Sequence, residues 1–303
     1  MSQQTPIAKV LTDKKLPVKR LEQIKQIQSI RKYAQEKLKL PKNNSYTSYV
    51  DLKRDAISWN VIATPKYSIT PIKTCLAIIG CTSYLMYFSK DRAELEAKKH
   101  QNLGHDTYII ASPAYSTGGM FDDPIVSTMF NGGISSIAQV VFHELAHQRL
   151  YRKGDSAFNE AFASTIAEEG TRRWLKENHP NKVKNYNEFL KKRWQFYNLL
   201  IDSRKQLDTA YKVAKTDKEK KKEKRKILEQ LTNQYIQLKG SWSGDKRFDR
   251  WFNNSPINNA KLAVIGVYFQ KVPEFSVQLK KLNYDFEKFY QFYDKNRDKL
   301  TPN

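Results

Sequence analysis

Cysteine is scarce, with two in 303 residues, and Cys75 and Cys81 are separated by five residues that include Gly80. That spacing is unlike the paired CxxC hooks of structural zinc sites, so the pair is not a metal framework. Two buried thiols fit it, as does a disulfide closed by a bend at Gly80 in an oxidising compartment. Long apolar runs are also missing. The longest, residues 75–88, is interrupted by Gly80, Thr82 and Ser83 and falls short of the roughly 20 residues that a spanning helix needs. It reads as buried strands. The first six residues do not form the basic-then-apolar start of a secretory leader, which points to a soluble chain as given, although a removed leader would leave no trace. Acidic residues are outnumbered, 31 against 53 Lys plus Arg, for a formal net charge of +22. Such a charge draws polyanions, whether nucleic acid, anionic lipid or acidic envelope polymers, over a screened reach of about 8 Å. The chain shows no RNP-like aromatic strand, zinc knuckle or helix-turn-helix signature, which argues against a dedicated nucleic-acid binder. Lys-rich solvated helix faces account for the charge more simply.

The length suits one large domain or two modest ones. Residues 17–40 carry Leu21, Ile24, Ile27, Ile30, Ala34 and Leu38 at three- and four-residue steps, which predicts an amphipathic helix ended by Pro41. Between residues 46 and 88 aromatic and β-branched clusters alternate with Pro65, Pro71 and Gly80, predicting a small sheet. A helix over 92–103, a stop at Gly104 and a strand over 107–111 follow. Two further helices are expected, one from near Ser135 to Tyr151 and one to about Asn178, separated by a break and cap at Gly154-Asp155. Residues 187–239 contain no Gly or Pro and predict two long helices in a hairpin. Eight basic residues among the twelve of 215–226 are interleaved with Asp217, Glu219 and Glu223, which reads as a solvated hairpin tip. Residues 258–300 return to mixed apolar periodicity and should pack back on the core. The expected fold is α+β and mainly helical, with residues 1–180 as a zincin-like core and 181–303 as a helical hairpin plus C-terminal helical segment.

The chemistry concentrates at His143-Glu144-Leu145-Ala146-His147, an HExxH pattern. Four-residue spacing on a helix puts both imidazoles on one face, where two nitrogens can meet one ion. Neutral imidazole suits zinc at about 2.0–2.1 Å, and Glu144 beside the first ligand can accept a proton from the water that the metal activates. A pair of satisfied core histidines is the bland alternative. Catalytic zinc takes a third protein ligand. Lys153 and Leu150 stand where the metzincin pattern requires its third ligand and its glycine, which excludes that class. Glu160, opening the next helix, is the expected third ligand. Asp155 reads better as a helix cap, and Glu168 lies two turns further on.

The sequence resembles the bacterial zinc aminopeptidase family of gluzincin type over most of its length. The resemblance rests on Leu40-Pro41 with Ser45-Tyr46, Trp59-Asn60-Val61, the Cys75 and Cys81 region ending in Tyr87-Phe88, Ala114-Tyr115-Ser116-Thr117-Gly118, Phe121-Asp122-Asp123-Pro124, FHELAHQ at 142–148, GDSAFNEAFA at 154–163, and Asn258-Asn259-Ala260. The NEAFA segment resembles the NExFA element that supplies a glutamate ligand in gluzincins, which implies the same role for Glu160. The chain departs from the family around Cys75, where Thr74 and Leu76-Ala77 replace its usual neighbours, and at Leu85-Met86. Those positions bear on substrate preference or packing rather than on the metal motif.

The resemblance implies a peptide substrate with a free amino terminus. It also implies a bacterial cell-envelope or periplasmic location if a leader was removed, with the cytoplasm as the alternative. Asp122 or Asp123 could bind the terminus, against a turn role beside Pro124. Tyr115 is the first candidate oxyanion donor and Tyr268 the second, each against core packing, and Tyr151 lies a turn past His147. The strand preceding the active helix, over 107–116, could pair with an extended peptide. Two other functions remain open at this stage: a zinc endopeptidase, and a non-catalytic cationic envelope or scaffold protein with a structural zinc.

Overall fold

The computed structural model describes residues 4–76 and 80–295. The fold is α+β and mainly helical, with small sheets. The chain divides into two compact units, each assembled from separated stretches.

The first unit comprises Met1–Ser58, Ala111–Tyr186 and Lys271–Asn303. Its amphipathic N-terminal helix, Val18–Glu36, buries Ile24, Ile27, Ile30 and Ala34, as the sequence spacing predicts. The short strand Ser48–Val50 pairs antiparallel with Thr5–Pro6 and parallel with Ile125–Val126. Two helices, Ile134–Arg149 and Ser156–Asn178, form the centre of the unit. Both are apolar along the shared seam, where Val141, Phe142, Leu145, Phe162 and Ile166 are fully buried. Gly170 gives the second helix its close approach, because a Cβ there would lie 2.6 Å from the end of the Leu38 side chain and 3.2 Å from the Phe142 ring. The C-terminal helices Val272–Lys281 and Phe286–Lys295 close the core with aromatic side chains. Phe158 meets Phe275 edge-on at 5.2 Å, and Phe162 stacks on Phe289 at 5.7 Å. Of the segment expected over 258–300, these two helices pack in this unit, whereas Asn259–Tyr268 belongs to the second unit; residues 296–300 lie outside the described part.

The second unit comprises Trp59–Ile110 and Asn187–Gln270. A three-stranded sheet has Ser58–Thr64 at its centre, flanked by Leu85–Tyr87 and Asp106–Ser112. The long helices Pro180–Val213 and Asp217–Ser241 form the predicted hairpin, the first starting earlier than residue 187. Thr216 and Glu219 cap the second helix reciprocally. Phe196, Leu200, Leu207, Ile227, Leu231 and Tyr235 fill the seam. Residues 215–226 lie largely in solvent, as expected of a hairpin tip, with Lys224 drawn into an ion pair with Asp106 at 2.5 Å.

The 75–88 stretch differs from its reading as buried strands. Strands form at Thr74–Leu76, Gly80–Thr82 and Leu85–Tyr87, but Cys75, Met86 and Phe88 are exposed. These strands are too short and too marginal to be covered on both faces. Cys75 and Cys81 stand opposite each other in an antiparallel ladder and are joined as a disulfide. They are therefore not two buried thiols. Residue 77, one of the departures from the family pattern, lies outside the described residues. Among the described residues, no helix is long and apolar enough to cross a membrane.

Candidate metal centre

The helix Ile134–Arg149 forms because apolar residues recur at helical spacing and sink into the seam. His143 and His147 sit one turn apart at the edge of that buried face. The helix ends where Leu150 turns extended, and Gly154 takes φ +81°, a left-handed conformation that favours glycine. Asp155 then caps the next helix, its side chain accepting from the Phe158 N–H at 2.9 Å. This cap, together with an ion pair to Lys271 at 3.6 Å, accounts for Asp155 without a ligand role.

Asn159 fixes the turn. Its Oδ1 accepts from the Arg152 N–H at 2.7 Å and its Nδ2 donates to the Arg152 carbonyl at 2.8 Å, both buried. Sequence reasoning missed this residue, although its place just before Glu160 offered a signal. The clamp holds the first turn of the second helix in a fixed register, and Glu160 projects from that turn.

His143 Nε2 lies 3.1 Å from His147 Nε2 and 3.1 Å from Glu160 Oε2, and His147 Nε2 lies 3.9 Å from the same oxygen. These three residues form a group that could hold a metal ion. Donors about 2.0–2.1 Å from one tetrahedral ion stand roughly 3.3 Å apart, so the spacing fits. The donor chemistry fits as well, since two imidazole nitrogens and a carboxylate oxygen suit a borderline-soft divalent ion. Neither Asp155 nor Glu168 belongs to this group.

The electrostatics are those of a site short of positive charge. Burial raises the Glu144 carboxyl to about 7; the His143 charge works against that, while Glu160 and Asp123 add to it. Burial and the neighbouring His143 lower His147 to about 4, with Glu160 opposing them. Burial also acts to lower His143, but the Glu160 hydrogen bond and the charges of Glu160 and Glu144 raise it overall.

A polar network ties two loops to the histidine helix. Gln148 Nε2 donates to Asp123 Oδ2 at 3.0 Å and to Ser45 Oγ at 3.2 Å, and its Oε1 accepts from Asn43 at 2.6 Å. Arg31 donates to the carbonyls of Asn43 and Ser45. The Thr117 N–H donates to Asp123 Oδ2 at 3.1 Å. Asp123 is thus buried and engaged beside the helix that carries His143 and His147, whereas Asp122 is exposed, and its charge acts on Arg31.

The tyrosine candidates separate. Tyr115 is half-buried and its hydroxyl is raised first by burial and then by Asp123. Tyr151 is 42% exposed, and its hydroxyl, raised first by its partial burial, also feels Glu160. Tyr268 accepts from Asn60 Nδ2 at 3.3 Å and stacks on Tyr84. Tyr46, which sequence reasoning did not single out, is fully buried with φ +64°, and its hydroxyl feels Glu144 and Asp123. A bulky residue held in the left-handed region is uncommon and can mark a functional constraint.

The family described as "Putative aminopeptidase" matches residues 1–300. The chain belongs to this family. Membership makes it a peptidase family protein, and the HExxH helix and its glutamate partner fall within the matched region. No curated protein and no solved structure matches the chain.

Proposed function

We propose that this member of the aminopeptidase family is a zinc-dependent aminopeptidase, with His143, His147 and Glu160 as the metal ligands and Glu144 as the general base. The observation that carries the reading is the triangle of three donors at 3.1, 3.1 and 3.9 Å, with a carboxylate adjacent in sequence to the first ligand. A purely structural site has no use for that carboxylate. A bound zinc ion supplies Lewis acidity toward the scissile carbonyl. The chain's own residues do the rest. Glu144, held near neutrality by burial, takes a proton from the attacking water and passes it to the departing amine. Tyr151, within electrostatic reach of Glu160, joins Tyr115 as a candidate donor to the developing oxyanion. The substrate is a peptide with a free amino terminus. The Cys75–Cys81 disulfide supports an oxidising location such as the bacterial cell envelope.

The test combines metal analysis with a peptide panel. Purified protein should hold one zinc per chain, and a chelator should abolish hydrolysis that added zinc restores. Free-amino peptides should be cleaved faster than their acetylated forms. Equal rates on both would make the enzyme an endopeptidase. Glu144→Gln should retain zinc and lose about 10²–10⁴ in kcat; undiminished turnover would remove Glu144 from the mechanism.

A further inference from the structure

A second pair of imidazoles stands in the other unit, where the helix Lys90–Asn102 ends. Gly104 follows that helix at φ +78°. Its N–H donates to the Gln101 carbonyl at 2.9 Å, and the His105 N–H donates to the His100 carbonyl at 3.1 Å. These two bonds are a Schellman closure, which brings the residue after the glycine against the residue five positions earlier. That contact is ordinarily apolar. Here both positions are histidine, and His100 Nδ1 lies 3.1 Å from His105 Nδ1. His143 Nε2 and His147 Nε2 stand the same 3.1 Å apart, and donors around one tetrahedral ion are roughly 3.3 Å apart.

The surroundings suit a cation. Glu96 Oε1 lies 3.7 Å from His100 Nε2, which favours the proton on Nε2 and leaves the lone pair on Nδ1. Lys99 pairs with the other oxygen of that carboxylate, at 3.2 Å. Peptide dipoles at a helix C-terminus favour positive charge. The His100 and Glu96 side chains are each 19% exposed and His105 is half-buried, so the pair lies at the surface rather than sealed in the core.

We propose that His100 and His105 form a second metal site, which takes one borderline-soft divalent ion of the zinc and copper class through both Nδ1 atoms. Imidazole suits such ions, whereas magnesium and calcium need oxygen donors. In the neutral pair without an ion, one proton lies between the two nitrogens. The ion takes that place, and His105 then carries its proton on Nε2, so no net proton is released. Asp106, the next residue, is engaged by Lys224 and by the Asn259 N–H, so water completes the shell. Two protein ligands make this an exchangeable site, in contrast to the three donors around His143. The inference does not depend on what the His143 centre does.

Histidine-selective isotope labelling of the full chain resolves the site by nuclear magnetic resonance, because the chain has only five histidines. His100→Gln and His105→Gln assign the two signals. Zinc chloride added to chelator-treated protein should shift both signals together, with one ion per pair, whereas magnesium chloride should move neither. Copper(II) chloride should broaden the same two signals at lower concentration, following the order of affinities at nitrogen donors. In either single variant the remaining imidazole should bind zinc about 10²-fold more weakly, since the second donor of the chelate is lost.

No movement of either signal at about 1 mM zinc overturns the proposal. So does a shift of one signal that survives undiminished when the other histidine is replaced, which marks an adventitious ion on a single imidazole. The His143 and His147 signals report the first centre separately. If they alone respond to zinc, this inference falls and the first centre stands; if His100 and His105 alone respond, the reverse holds.

Discussion

Two long helical hairpins among the described residues differ chiefly in what lines their seams. In Ile134–Arg149 with Ser156–Asn178, the seam carries Val141, Leu145 and Phe162 but admits two imidazoles and a carboxylate at its edge. In Pro180–Val213 with Asp217–Ser241, the corresponding positions are Leu200, Leu207, Ile227 and Leu231, with tyrosines and Phe196. Their connections differ too. The first is clamped by Asn159 and turned by Gly154, whereas the second relies on the reciprocal cap of Thr216 and Glu219. A self-capped turn suffices where the seam is apolar, since hydrophobic packing is not directional. On the proposed metal reading, ligand atoms must be held to within a fraction of an ångström, which gives the additional clamp in the first hairpin its use.

Four substitutions probe this contrast. The largest expected effect is His147→Ala, which should cost at least about 10³ in kcat/KM and most of the zinc, because two donors cannot close a catalytic site; mass spectrometry under native conditions reads the metal content. A variant that still holds one zinc at full affinity would take His147 out of the ligand set. Next, Leu231→Ala in the second hairpin should lower stability by about 2–5 kcal/mol through the cavity it leaves, with zinc affinity unchanged in the folded protein. Asn159→Ala should cost about 2–4 kcal/mol, since it strands a buried N–H and a buried carbonyl of Arg152. Unlike Leu231→Ala, it should also weaken zinc binding; if both variants affect zinc equally, the clamp has no special part in placing Glu160.

The smallest effect concerns a buried cation in the second unit. Lys261 is fully buried, donates to the carbonyl and hydroxyl of Ser255, and is lowered by burial from 10.5 to about 8. Between those values the unfolded chain holds the proton and the folded one does not, so stability rises with pH across the window. Chemical denaturation at pH 7 and pH 10 should show this rise in the wild type relative to Lys261→Met; parallel pH profiles would show that the lysine does not titrate in this way.

The helices of both hairpins were legible because their periodicity and punctuation are local. Apolar residues at three- and four-residue steps, Gly154 and the cap Asp155 lie within a few positions of the features they create. The two histidines were legible for the same reason, one turn of helix separating them. Glu160 was less direct, because its place depends on how the 150–155 turn folds back, and Asn159, which fixes that turn, shows nothing of its role in residue type alone. Tyr46 and Asp123 lie 77 positions apart in the chain, so the hydrogen bond from the Tyr46 N–H to the Asp123 carbonyl could not be read from spacing. The exposure of Cys75, Met86 and Phe88 was likewise hidden, since an apolar run does not say which of its faces will be covered.

By itself the sequence determined the helical character of the chain, its family and the presence of an HExxH turn, because each depends on residue types at short, regular intervals. Tertiary structure alone decided that Glu160 completes a donor triangle, that Asp123 rather than Asp122 turns inward, and that the units are built from interleaved stretches. Those outcomes depend on which distant segments exclude water together, and burial is a property of the assembled chain rather than of any window along it.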